Sequence, residues 1–206
     1  MTNKEIRAFE FEVRAEQDDE KGDYLTGQAI VYNEKTNLGW YDEIIADGAL
    51  ADTDLKDVRF LVNHNTDMIP LARSRNNNTN STMQLEVVPG AGLSIRVNLD
   101  TENNAEAKSL YSAVKRGDIS GMSFMFTVDK DTWEDVDTEH PTRTITGISK
   151  VFEVSAVTFP AYEATSIQAR GLSEALESAR ASLESVKAEK REQDRRKRKI
   201  KILSEV

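Results

Sequence analysis

Apolar and polar residues alternate strictly at the start of the chain. Arg7, Phe9, Phe11 and Val13 fall on one face, and Ala8, Glu10 and Glu12 on the other. A period of two marks a half-buried strand, so the pattern predicts a first strand over Ile6–Val13. The polar stretch Gln17–Asp23 predicts a turn, and Tyr24–Tyr32 a second strand paired with the first as a hairpin. Asn33–Asp47 reads as a loop whose Trp40, Tyr41, Ile44 and Ile45 pack inward, and Asp47–Asp57 as a short helix. Val58–Val62 is a short apolar strand that stops at Asn63 and His64, and the Asn, Ser and Thr of Arg73–Thr82 form a loop. Met83–Val88 and Leu93–Leu99 flank Pro89-Gly90-Ala91-Gly92, a turn sequence that predicts a hairpin.

The period changes over residues 101–116. Ala107, Leu110, Tyr111 and Val114 recur at helical spacing, Asn103 with Glu106 fits a capping-box start, and Gly117 follows Lys115 and Arg116 as the C-cap. Beyond the helix, Gly121 leads into an apolar strand in which Met122, Phe124, Phe126 and Val128 share one face and Ser123 and Met125 the other. Asp129–His140 reads as an acidic loop. Lys150–Phe159 is apolar on both faces, the pattern of a central strand.

From Gly171 the character shifts. Leu172, Leu176, Ala179, Leu183 and Val186 form a short heptad-like stripe, after which the chain is nearly all charge and includes RRKRKIK. The reading divides the chain into a body, residues 1–170, and a charged, helical or partly disordered C-terminal arm, residues 171–206. The net charge of −9 divides at the same place: the body is acidic and the arm basic. An acidic body argues against nucleic acid as its main partner. With no cysteine, disulfides and thiolate chemistry are excluded, and no apolar run is long enough to cross a bilayer.

Three residues stand out chemically. Glu153 lies inside the apolar run VFEVSAVTF, on the face expected to hold Val151, Ser155, Val157 and Phe159. A carboxylate there needs a partner or a raised pKa, and a structural ion pair or an edge position would serve as well as catalysis. His64 closes the apolar FLV segment, where it is either held over a cleft or exposed in a turn. His140, in the acidic loop before Pro141, reads as a surface residue. Ser123 enters the strand, whereas Ser120, the competing nucleophile, sits in the turn before it. An imidazole that removes the serine proton, and a carboxylate that fixes the ring tautomer, would link His64, Ser123 and Glu153.

Gly48-Ala49-Leu50, FLVNH ending at His64, LYSAVKRGDISGMSF through Ser123, and EVSAVTFPAYEAT from Glu153 occur in that order. Over about residues 6–170 the sequence resembles the prohead maturation proteases of tailed bacteriophages, which are related in fold to the herpesvirus assembly protease. The resemblance implies an α+β, mostly β fold: a herpesvirus-protease-like β-barrel with packed helices and a C-terminal helical arm. It also implies Ser123 as nucleophile, His64 as general base and Glu153 as orienting acid, where herpesvirus relatives carry a second histidine. Asn65, Ala72 and Met125 depart from the family pattern, in which Asp, Gly and Gly are common. Gly121 and Arg73 are candidates for help at the oxyanion.

The implied activity is that of a serine endopeptidase, without metal or other cofactor. It would cleave the scaffolding segment of the major capsid protein or a separate scaffold protein, and itself, inside the assembling procapsid in the host bacterial cytoplasm. A homodimer is allowed, since herpesvirus relatives work as dimers, although no stripe in the body marks an interface. No membrane partner is expected. The alternatives are a non-catalytic capsid-assembly or scaffolding protein that retains the protease fold, and a nucleic-acid-binding tail resting on RRKRKIK alone.

Overall fold

A computed structural model of the chain describes residues 4–9, 13–18, 22–158 and 166–204. In chain order the elements are β1 (Lys4–Phe9), β2 (Val13–Asp18), β3 (Gly22–Val31), β4 (Thr36–Asn37), β5 (Asp42–Ile45), β6 (Asp57–Val62), β7 (Ala72–Arg75), β8 (Met83–Val88) and β9 (Gly92–Asn98). They continue with α1 (Ala105–Arg116), β10 (Gly121–Glu134), β11 (Thr142–Val157) and α2 (Ser166–Ser204). The architecture is α+β and mostly β.

β10 and β11 form a long antiparallel hairpin at the centre of a seven-stranded sheet. β1 pairs antiparallel with β10. On the far edge of β11, β5 and β6 lie end to end, both parallel to it: Thr142–Ile145 pairs with β5, and Glu153–Ala156 with β6. β4 and β7 extend β5 and β6 respectively. The second sheet has the order β2-β3-β9-β8. Phe124, Phe126, Val151 and Val154 of the first sheet share one core with Leu25, Ile30, Leu93 and Val97 of the second, and Leu110 and Val114 of α1 join them. Each such fully buried side chain contributes roughly 1.5–3 kcal/mol.

Among the described residues the two sheets do not close into the expected barrel. Side chains bridge the seam between β7 and β8. Arg73 N and Arg75 N donate to Thr82 Oγ1 (2.8 Å) and Ser81 Oγ (2.9 Å), so side chains take the place of a strand ladder.

Several local expectations also change: Arg73–Arg75 of the expected loop belong to β7, and the expected loop Asn33–Asp47 contains β4 and β5, because β6 pairs with β7 and β11 with β5. The first alternating run is not one strand hairpinned to the next: β1 belongs to the first sheet, and it is β2 that pairs with β3. Alternation records a buried face but not the sheet that buries it. Asp47–Asp57 forms turns rather than a helix, because its backbone is bonded to β11: Ile148 N donates to Ala49 O, and Asp54 N to Ser149 O, both at 2.9 Å. The acidic stretch 129–134 belongs to β10, where Asp131 is neutralised by Arg143 (2.7 Å) and Trp133 is buried. The N-cap of α1 is Asn104, whose side chain accepts from Glu106 N and Ala107 N. Gly117 is the left-handed C-cap, as its position predicts.

α2 spans the division expected after Arg170. Ala175 is buried, and Ala179 and Leu183 pack with Tyr41, Trp133 and Val136, while Leu176 and Val186 lie against that cluster. The stripe thus meets aromatic residues of the body, although the side chain of Leu172 lies outside the described residues. From Ala188 to Lys201 the helix is exposed. No helix among the described residues is long and apolar enough to cross a membrane.

Candidate active site

The register of β10 and β11 builds the site. Ser123 is paired with Ser155, and Met125 with Glu153. Directly paired residues project to the same side of a sheet, so Ser123, Met125, Glu153 and Ser155 share the face opposite Met122, Phe124 and Phe126. Between Met125 and Phe126 the register shifts, because Val151 rather than Phe152 pairs with Phe126. This bulge turns Val151 into the core and separates it from Glu153, whose face it was expected to share.

His64 arrives from the end of β6. Asn63 and His64 are both left-handed, with φ of 51° and 56°, a conformation that side chains other than glycine adopt at a cost. β11 holds this turn. Asn63 N donates to Ala156 O (2.9 Å), Asn63 Nδ2 to Thr158 Oγ1 (3.0 Å), and Thr158 N to Asn63 Oδ1 (2.9 Å). His64 N donates to Ser155 Oγ at 3.2 Å.

Across this junction His64 Nδ1 lies 2.6 Å from Glu153 Oε1. The ring is fully enclosed and the carboxylate almost so. The other carboxylate oxygen, Oε2, accepts from Ser155 Oγ at 2.5 Å. His64 Nε2 is buried and has no hydrogen-bond partner among the described residues. Ser123 is also fully buried, but its hydroxyl donates to the carbonyl oxygen of Arg7 on β1, at 2.7 Å. His64 and Glu153 are therefore in direct contact, and Ser123 lies on the same sheet face without a bond to the imidazole.

A cavity of about 330 Å³ adjoins Glu153. Leu61, Met68, Met125 and Phe152 give it apolar walls, and Lys4 and Arg59 add positive charge. Met125 thus forms part of a wall beside the acid. Arg73 is engaged bidentately by Asp57, at 2.6 and 2.9 Å, and Gly121 pairs with Val157. His140 lies apart, with its Nε2 2.8 Å from Asp42 Oδ1. The structure adds Ser155, Asn63 and Thr158 to the residues read from the sequence. The available signal was Ser155 two positions beyond Glu153 in an apolar run, a second polar group on one buried face.

A buried imidazole–carboxylate pair with a free ring nitrogen, beside a strand-borne serine, points to the serine peptidases. The family model of the caudovirus prohead serine proteases matches residues 9–178, and the chain belongs to that family. Among solved structures, the capsid assembly protease gp21 of bacteriophage T4 is similar over 77% of this chain and 99% of that one, at 12% identity and a TM-score of 0.41. No curated protein sequence matches the chain.

Proposed function

We propose that the protein is a serine endopeptidase that cleaves scaffolding segments of the capsid protein, or a separate scaffold, and itself during procapsid maturation in the host cytoplasm. Ser123 is the nucleophile, His64 the general base and Glu153 the orienting acid. The observation that carries this reading is the 2.6 Å contact of His64 Nδ1 with Glu153. It fixes the tautomer that leaves Nε2 as proton acceptor, and it offers a charge to the imidazolium that forms on attack. For reaction, Ser123 exchanges its bond to Arg7 O for one to Nε2. Catalytic hydrogen bonds are often loose or unmade before substrate binds. The hydroxyl then adds to the scissile carbonyl while its proton passes to Nε2, and the same proton is delivered to the leaving amine. Water hydrolyses the acyl-enzyme by the reverse route. The cavity beside Glu153 is the natural seat for a substrate side chain.

The test is co-expression with the capsid protein. The wild-type chain should shorten it, and Ser123→Ala should leave it intact, with activity lowered about 10⁴-fold or more. Unchanged processing by Ser123→Ala would remove Ser123 as the nucleophile.

The bond from Ser123 to Arg7 O favours a second reading, an assembly protein that has kept the fold without the activity. A fluorophosphonate separates the two. The protease reading expects covalent labelling of Ser123 that His64→Ala suppresses, and the assembly reading expects none.

A further inference from the structure

We infer that Ser155 is a positioning residue that sets the catalytic acid against the base; this rests on the roles given above to His64 and Glu153. Ser155 is fully buried and stands directly across the ladder from Ser123. A hydroxyl offers one donor and two acceptor sites. Here the donor goes to Glu153 Oε2 at 2.5 Å, and a lone pair accepts His64 N at 3.2 Å. One oxygen atom therefore touches both the side chain of the acid and the backbone of the base.

The consequence for Glu153 is geometric. Its carboxylate ends a chain of three rotatable bonds, and a single contact to the imidazole would leave the terminal rotation free. With Oε1 on His64 and Oε2 on Ser155, each oxygen has its own partner and the plane of the carboxylate is held. The consequence for His64 is that its left-handed backbone is tied to the strand that carries the acid. Asn63 is tied to the same strand through Ala156 and Thr158.

The test uses the full chain and a fluorophosphonate, reading the rate constant for labelling Ser123. Ser155→Ala should lower it about 10- to 100-fold, part of what a positioned base supplies. In a Glu153→Gln background, Ser155→Ala should have less than about a threefold further effect, because the two act through one contact. Ser155→Cys keeps the volume with a weak donor and should behave like Ser155→Ala, which provides a folded variant if the alanine form is unstable. The inference is overturned if a folded variant labels at the wild-type rate, or if the full loss persists in the Glu153→Gln background. Should the wild-type chain label no faster than His64→Ala, the assignment of the base itself falls, and the role of Ser155 with it.

Discussion

Both oxygens of Glu153 accept a hydrogen bond, one on each side of its carboxylate, and this double use makes the residue sensitive to an isosteric change. Glutamine keeps the shape but presents an NH₂ to one neighbour. Under the proposed triad, Glu153→Gln should lower fluorophosphonate labelling of Ser123 about 10³- to 10⁴-fold while leaving the circular dichroism spectrum unchanged. The turn that carries His64 is the second sensitive point. Asn63→Ala and Asn63→Gly both delete the side-chain bonds to Thr158, but only in alanine does the positive φ carry a steric cost. The alanine variant should therefore be the less stable, by about 1 kcal/mol in chemical denaturation. Equal stabilities would show that the backbone at Asn63 is not constrained. Asn63, His64, Ser123 and Glu153 were each visible in the sequence as residues at strand ends or polar insertions in apolar runs. Most of their contacts were not: His64 meets Glu153 across 89 positions, Asn63 meets Thr158 across 95 and Ser123 meets Arg7 across 116, and such pairing depends on which strands become neighbours.

At the scale of elements, β11 does most of the organising. It pairs with β10 along its length, with β5 at its start and with β6 at its end, so the strand bearing Glu153 also holds the strand that delivers His64. β1 is joined to the body by charge. Glu5, Arg7, Glu43 and Arg143 form a buried cluster in which Arg7 Nη2 and Arg143 Nη1 each reach Glu5 Oε2, at 2.7 and 2.9 Å. Arg7 also contacts Glu43 through its Nε. α2 adds Ser178 Oγ to Glu5 (3.1 Å) and Ser182 Oγ to Asp131 (3.0 Å). The Trp133 indole donates to Ser182 at 3.0 Å. Arg143→Met would leave buried carboxylates short of a cation and should cost about 3–5 kcal/mol in urea denaturation. Removing one partner of such a network is far more costly than its net worth suggests. Shortening the chain tests where the body ends. Stopping after Lys187 keeps the contacts of Ala179, Leu183 and Val186 and should leave the melting temperature within a few degrees. Stopping after Arg170 uncovers Tyr41 and Trp133 and should lower it markedly.

The whole molecule carries the charge cluster into its response to acid. Burial raises the pKa of Glu5, but the combined attraction of Arg7 and Arg143 outweighs it and leaves the carboxyl below its ordinary value of 4.5. A depressed folded-state pKa means that the stabilisation is fully present above the unfolded value and is lost as pH falls through the folded one. Unfolding free energy should therefore decline from about pH 4.5 downward, and the Glu5→Gln variant, if folded, should show a shallower decline. An identical slope would remove Glu5 as a contributor.

From the sequence alone came the mostly β class, the helix ending at Gly117, the hairpin of β8 and β9, and the face that separates Ser123 from the phenylalanines. These follow from side-chain periodicity and turn chemistry, which act over a few residues. Tertiary structure decided that the first alternating run divides between two sheets, that a bulge at Phe152 isolates Glu153 from Val151, and that the stripe of α2 meets Trp133. It also brought His64, Glu153 and Ser155 together. Such outcomes depend on contacts between distant segments competing for the same backbone groups and the same buried face, and local pattern carries no record of which competitor prevails.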